Sequence, residues 1–452
     1  MSETAEGVSS RPAVRRVMLA VFVMALAVYA AFAGDRLRVH SPDNHFSYLA
    51  DAYLHGTLSV RCDVGVAQGE VCPPGGGGND WARFNDRWFV AFPSLPAVIY
   101  MPAVALFGRN FPNRVLDVLL AALAPALLYG LLEALVKRGH STRPWRENLA
   151  LTALFAFGTV FFYCAVQGSV WFVAHIVAAS LGVAYVWHAL DARSPLLAGL
   201  FLGLSFHTRT STLFGAVFFG LEALRVHRLA GAASDDARPS EGGLLRWLRG
   251  VDWPRALRSI VRFSLPVLLA LGVYLLLNKL RFGDAGEVGY RYLQIRWQAR
   301  IARWGLFNYH YLSRNLGVVL ALLPWVTRTA PFIQISRHGL ALWVTTPQYL
   351  ELLRPARRHA LGWSAGIAAL VIASVDLLYQ NSGWVQFGYR FSNDYAVFLV
   401  LLLAVMGRPF RRWQWALLAL AIAVNTFGAA TFDRPNEVYQ GDNDAHGMFQ
   451  PD

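Results

Sequence analysis

The sequence predicts an all-α polytopic membrane protein, a bundle of about 11–13 transmembrane helices with membrane-surface helices in its external loops. Three observations predict it. The chain is 55% hydrophobic and only 15% charged, with a mean hydropathy of +0.37, whereas a soluble domain carries about a quarter charged residues. Apolar stretches recur from end to end. Basic residues cluster between them. This composition excludes an ordinary cytosolic enzyme, and it is too apolar for a disordered chain. The formal charge is +13, and Lys137 and Lys279 are the only lysines among the 41 basic residues. That preference for arginine is the mark of a GC-rich genome and points to a bacterial source. Because the arginines sit between apolar runs, they read as positive-inside anchors of membrane loops, and no nucleic-acid partner is expected.

The first apolar stretch, 17–33, follows Arg11, Arg15 and Arg16. No small-residue cleavage site and soluble domain come after it, so it reads as a retained span that keeps a 1–16 tail in the cytoplasm. Further candidates lie at 90–108, 114–136, 148–166, 170–190, 195–208, 211–224, 260–279, 315–328, 338–353, 361–379, 393–407 and 412–430. The basic segments 137–146, 225–262, 354–358 and 408–412 belong in the cytoplasm. That assignment holds only if one candidate near 90–108 and one within 315–353 fail to cross. The first carries Pro93, Pro96 and Pro102, as suits a broken or surface helix. About eleven crossings result, with about thirteen as the alternative, and an external C-terminus. The chain divides into an N-terminal module at 17–224, with external loop 34–88, and a C-terminal module at 260–430, with external loop 281–314. Between them lies a cytoplasmic linker at 225–259, whose polar run 231–243 is flexible in composition. An external tail occupies 431–452. The multi-pass chain is placed in a bacterial inner (plasma) membrane. There is no repeat beyond a short Gly-Tyr-Arg echo at 289–291 and 388–390.

The first external loop is acidic, which suits the non-cytoplasmic side. After Ser41-Pro42, Phe46, Leu49, Ala50, Tyr53 and Leu54 follow helical spacing, with Asp43 where an N-cap belongs. The helix is expected to lie on the membrane surface, apolar face down. Asp43 is either that cap or a general base for an acceptor hydroxyl. Asp51, about two turns on, would share its face as an orienting or second acid. His45 is a candidate for proton transfer or substrate binding, or is simply a surface residue. Asp43, His45 and Asp51 offer only a sparse ligand set for a divalent ion. Cys62 and Cys72 are placed to form a disulfide outside the cytoplasm. Glycines 75–78 make a mobile segment, and without a preceding strand or a following Lys-Ser/Thr they are no phosphate loop.

Loop 281–314 breaks the charge rule, carrying Arg281, Arg291, Arg296, Arg300, Arg303 and Arg314 against Asp284 and Glu287. An interfacial amphipathic helix explains this without function. A phosphate site at Arg291 is the sharper reading, since guanidinium groups bind phosphate bidentately. Arg209 interrupts the apolar hairpin 195–224 and is either a turn cap or functional. Arg390 has the same standing, with Asp394 four residues on as a possible simple partner. Trp171 reads as an interface anchor and His175 as a hydrogen-bonded residue of the bundle.

Five short stretches together resemble the GT-C superfamily of polyprenyl-phosphate-sugar-dependent membrane glycosyltransferases. These are Asp43 to Gly56, Phe92-Pro93 to Gly108, Leu197 to Arg209, Arg281 to Tyr292 and Gln386 to Asp394. The likeness is to bacterial members related to the protein mannosyltransferase and aminoarabinose transferase branch. Asn44 stands beside Asp43 where that branch has a second acid, and Thr210 follows Arg209 where relatives show proline. The resemblance implies an inverting transfer to an acceptor hydroxyl on the periplasmic or extracellular side, with Asp43 as base. It implies a polyprenyl-phosphate-linked sugar and membrane lipids as partners. Developing charge on the leaving phosphate would fall to Arg209, Arg291 and Arg390 rather than to a metal. Tyr292 and Tyr389 would bond or stack on the sugar. No cofactor is required by this scheme. Two rivals remain open: a lipid-linked-glycan flippase or transporter, and a lipid-linked glycan ligase or polymerase. A non-catalytic scaffold is a third possibility.

Overall fold

The computed structural model describes residues 13–62, 71–229, 247–295, 297–434 and 437–439. The 231–243 run, Arg296 and the last part of the 431–452 tail lie outside the described residues. Helices run in the order α1 (Val14–Ala33), α2 (His45–Leu54), α3 (Leu95–Phe107), α4 (Arg114–Lys137), α5 (Trp145–Phe157), α6 (Phe161–Ala165), α7 (Val170–Ala189) and α8 (Pro195–Phe206). There follow α9 (Ala216–Val226), α10 (Trp253–Phe282), α11 (Gln298–Trp304), α12 (Leu312–Ala321), α13 (Leu342–Thr345), α14 (Ala360–Leu377), α15 (Ala396–Met406) and α16 (Arg412–Thr431). Two short antiparallel hairpins are the strands β1 (Trp81–Phe84) with β2 (Arg87–Val90), and β3 (Trp325–Val326) with β4 (Ile333–Gln334). Among the described residues, six helices are long and apolar enough to cross a membrane, and three more are apolar but shorter. This is the architecture of a multi-pass all-α membrane protein.

At 1.5 Å per residue, the 20 residues of α1 reach about 30 Å, the thickness of a hydrocarbon core. The longer α10 exposes Leu265, Leu268, Leu269, Leu276 and Leu280 along one side, a stripe suited to lipid. Its other side receives α8. Gly199 lies against the Phe263 carbonyl and Gly203 against Ala270, an approach that only small residues permit. Gly199→Leu is therefore expected to cost about 1–3 kcal/mol, read as a lowered thermal midpoint in detergent. An unchanged midpoint would mean that α8 and α10 do not meet there.

The helix ends sort into two faces. On one, Arg143 donates to the Ala404 carbonyl at 3.1 Å and Leu403 at 2.7 Å. Arg357 donates to Val405 at 2.6 Å. Asp191 collects Arg138 at 3.4 Å and Arg225 at 2.6 Å. The described parts of the basic segments thus gather at one end, where cations satisfy the unpaired carbonyls of helix C-termini. The first external loop, the end of α8 and the segment 378–394 gather at the other.

Several candidate spans take another form. Helix α3 meets loops of the same face at both ends: the Leu95 N–H donates to the His207 carbonyl at 2.9 Å, and Arg109 beyond its far end donates to the Arg61 carbonyl at 2.9 Å. Candidate 148–166 is two helices broken at Gly158, whose carbonyl accepts from Thr346 Oγ1 at 3.1 Å. Candidate 338–353 is only α13 and a 3₁₀ turn at Pro347–Leu353, because the residue before a proline is driven out of the helical region. Candidate 315–328 stops at Ala321, before Pro324 and β3. At the Gly158 break the irregular backbone is packed inside protein, where a side chain replaces the lost hydrogen bond.

Candidate active site

Asp43 lies just outside α2, and Asn44 takes the cap position without a side-chain cap bond. The expected Asp43 cap is therefore corrected. The Asp43 carbonyl accepts the Val170 N–H at 3.1 Å, and Ser41 N–H donates to Asn113 Oδ1 at 2.8 Å. These bonds pin the segment to the starts of α4 and α7. The carboxylate is then available to the cavity, where its Oδ1 accepts from Asn79 Nδ2 at 3.2 Å. Helix α2 itself is packed rather than laid on a surface, with Phe46, Tyr48, Leu49, Ala50 and Ala52 buried.

The cavity has a volume of about 1210 Å³. Its acids are Asp43, Asp80 and Asp433, and its cations Arg209, Arg337, Arg390 and Arg434. Aromatic walls come from Phe92, Trp171, Tyr290, Trp297, Tyr379 and Trp384. An apolar flank is formed by Phe214, Leu271, Leu275 and Val375. Burial raises the Asp43 pKa to about 6, with further upward pushes from Asp433 and Asp80 and partial relief from the Asn79 bond and Arg114. Near neutral pH the group is an ionised, reasonably strong base, as proton abstraction requires. Burial also raises the Asp80 pKa, against the Trp171 hydrogen bond and the Arg390 charge.

Arg209 reaches the cavity but is already paired. Its Nε lies 3.1 and 3.0 Å from the two oxygens of Asp394, and Nη2 lies 2.6 Å from Oδ2. His175 Nδ1 at 3.0 Å and Ser211 Oγ at 2.7 Å complete the shell of Asp394. The spacing had suggested Asp394 as a partner of Arg390. Residues Arg390–Asp394 form a 3₁₀ turn, which takes positions i and i+4 off a common face. Arg390 instead donates to the Gly383 carbonyl and, at 2.9 Å, to Val385. Its guanidinium lies 5.3 Å from the Phe172 ring and 5.4 Å from Phe391. Its buried Nε has no acceptor among the described residues.

Other expected site residues lie elsewhere. Arg291 pairs with Glu287 at 2.6 Å, its side chain is 69% exposed, and it does not line the cavity. Left-handed Gly289 and the turn Tyr290–Tyr292 send Tyr290 inward in its place. Tyr292 packs on Phe282 and Phe84. Tyr389 is buried against Phe391. Asp51 pairs with Arg61 at 3.6 Å and His55 at 3.5 Å. Since α2 begins only at His45, no helical register links Asp51 to Asp43. His45 is buried, stacked on Trp81 at 3.9 Å, with Nε2 2.8 Å from the Asn79 carbonyl. A carbonyl cannot donate, so Nε2 carries the proton. Burial lowers the His45 pKa to about 4, so the ring is neutral. The Asp43, His45 and Asp51 ligand set does not assemble, and no group of three metal-binding side chains forms among the described residues. Cys62 and Cys72 are joined in a disulfide with Cα atoms 5.4 Å apart.

Sequence reasoning missed Asn79, Asp80, Tyr290, Tyr379, Arg337 and Arg434 as site residues. The one available signal was Asn-Asp after the glycine run, a pair tolerant of positive φ. The glycines are not simply a mobile linker: Gly77 has φ +92 and lies under the Trp88 indole, leaving no room for a Cβ. No family model, no curated protein and no solved structure matches this chain, so its function has to be read from the cavity itself.

Proposed function

We propose that the protein is a multi-pass membrane glycosyltransferase of GT-C type. It moves a sugar from a polyprenyl-phosphate donor to an acceptor hydroxyl, with inversion at the anomeric carbon. The observation that carries this reading is one cavity lined by Asp43, Arg209 and Arg390 together and flanked by apolar side chains from α10 and α14. The acceptor hydroxyl gives its proton to Asp43 as its oxygen attacks the anomeric carbon. The bond from that carbon to the phosphate oxygen breaks, and the phosphate leaves with the electron pair. Arg390 meets the developing charge, since buried donors aimed at such charge act most strongly in a water-poor site. Arg209, balanced by Asp394, contributes hydrogen-bond direction more than net charge. The apolar flank accommodates the lipid chain.

The two-faced sorting of helix ends supports about eleven passages, counting the irregular 338–356 segment as one and α3 as none. With the basic end in the cytoplasm of a bacterial inner membrane, the cavity opens on the periplasmic or extracellular side. The test is transfer from a synthetic polyprenyl-phosphate sugar by purified protein. Transport of intact lipid without a new glycosidic bond would favour a flippase instead. Arg390→Gln is expected to lower kcat/KM by about 10²–10³-fold, while Arg291→Gln stays within about twofold, as for an exposed surface ion pair. Equal losses in both variants would remove the phosphate role of Arg390.

A further inference from the structure

We propose that Asp80 is a second working carboxylate of the cavity, a specificity-determining residue that accepts hydrogen bonds from hydroxyl groups of the transferred sugar. This rests on the glycosyl-transfer reading above. Asn79 and Asp80 are consecutive non-glycine residues with φ of 58° and 68°. Asn and Asp tolerate this left-handed backbone, and at this turn the neighbouring side chains fix it. Here His45 donates to the Asn79 carbonyl, Trp81 stacks on His45, and Gly77 is fixed against Trp88. The turn delivers two side chains to one cavity wall. Asn79 goes to Asp43, and Asp80 goes to Trp171, whose Nε1 donates to Oδ2 at 2.7 Å.

The other oxygen of Asp80 has no donor among the described residues. Asp80 lines the cavity together with Arg390, whose charge acts on it. A carboxylate held on one side by an indole N–H, with its second oxygen unclaimed, is an acceptor for neighbouring hydroxyls. Hydrogen bonds to a charged acceptor are stronger than neutral ones. Tyr290 and Trp384 also line the cavity, aromatic neighbours for the apolar side of a pyranose ring. The two acids divide the work: Asp43 takes the proton of the acceptor, and Asp80 holds the ring that is transferred.

The experiment measures binding of unsubstituted polyprenyl phosphate and of polyprenyl-phosphate glucose, mannose and galactose to wild type, Asp80→Asn and Asp80→Glu, with transfer assayed in parallel. Wild type is expected to prefer at least one hexose-bearing lipid. Asp80→Asn should weaken that lipid by about 10- to 100-fold and leave the unsubstituted lipid within about twofold. Asp80→Glu should recover part of the loss. Retained preference in Asp80→Asn overturns the proposal. So does an equal loss for both lipids, which marks a structural role, or a wild type with no preference. A wild type that prefers the hexose lipid through Asp80 but forms no glycosidic bond upholds the sugar site and removes the transfer reaction instead.

Discussion

Asp43→Asn is expected to slow sugar transfer by about 10²–10⁴-fold, the usual contribution of a positioned general base. The donor should still bind, because the asparagine keeps the shape of the side chain and its bond with Asn79 can re-form through an amide. The pH profile supplies a second reading. Asp43 has its pKa raised to about 6, chiefly by burial, so the active, ionised form is lost below that value. Wild-type transfer should fall about tenfold per pH unit on the acid side of 6, and the residual rate of the variant should lack this limb. The sign for stability runs the other way. Folding disfavours ionisation of this carboxyl, so its ionisation destabilises the fold progressively as pH rises from the ordinary carboxyl value of 3.8 to about 6. Asparagine should therefore be no less stable than wild type at pH 7. A folded variant with wild-type rate would remove Asp43 from the base role.

Asp394→Leu is expected to destabilise the protein by about 3–5 kcal/mol, the cost of leaving a buried cation without its partner. The carboxylate is fully buried and takes two bonds to Arg209 Nε and Nη2 besides those from His175 and Ser211. Asp376, 3.9 Å from Arg209, is the only other acid at hand among the described residues. Arg209→Met alone should also destabilise, since it strands Asp394. The double variant should recover much of the loss, because removing both charges leaves neither uncompensated. Thermal unfolding in detergent reads all three, and a single Asp394 variant as stable as wild type would show that the pair is not buried as described. The double variant also separates catalysis from folding: if it folds and still transfers sugar, Arg209 serves structure and Arg390 serves the phosphate.

Much of the architecture was legible in the chain because it depends on local quantities. Apolar length marks α1, α4, α7, α10, α14 and α16, and clustered arginines mark the end where Arg143 and Arg357 meet helix carbonyls and Arg225 meets Asp191. The three prolines of 90–108 foretold a helix that starts and ends on one face. The break at Gly158 and the irregular backbone at 338–353 were hidden by hydropathy. An apolar run reads alike whether its backbone is helical or irregular, and only a partner such as Thr346 or Asn425 makes the irregular form stable inside protein.

The site divides in the same way. Residue type and position were enough to put Asp43, Arg209 and Arg390 in loops of one kind, to place Cys62 and Cys72 in the same loop, and to mark the chain as a multi-pass membrane protein. Which side chains share the cavity was decided by tertiary structure. A 3₁₀ turn sent Tyr290 inward and Arg291 out, a left-handed pair turned Asn79 toward Asp43 and Asp80 toward Trp171, and Asp394 claimed an arginine 185 residues away. Composition and periodicity report how much of a segment is apolar. The direction of one side chain depends on a few dihedral angles, and its charge balance depends on whichever distant partner the packing brings within 3 Å.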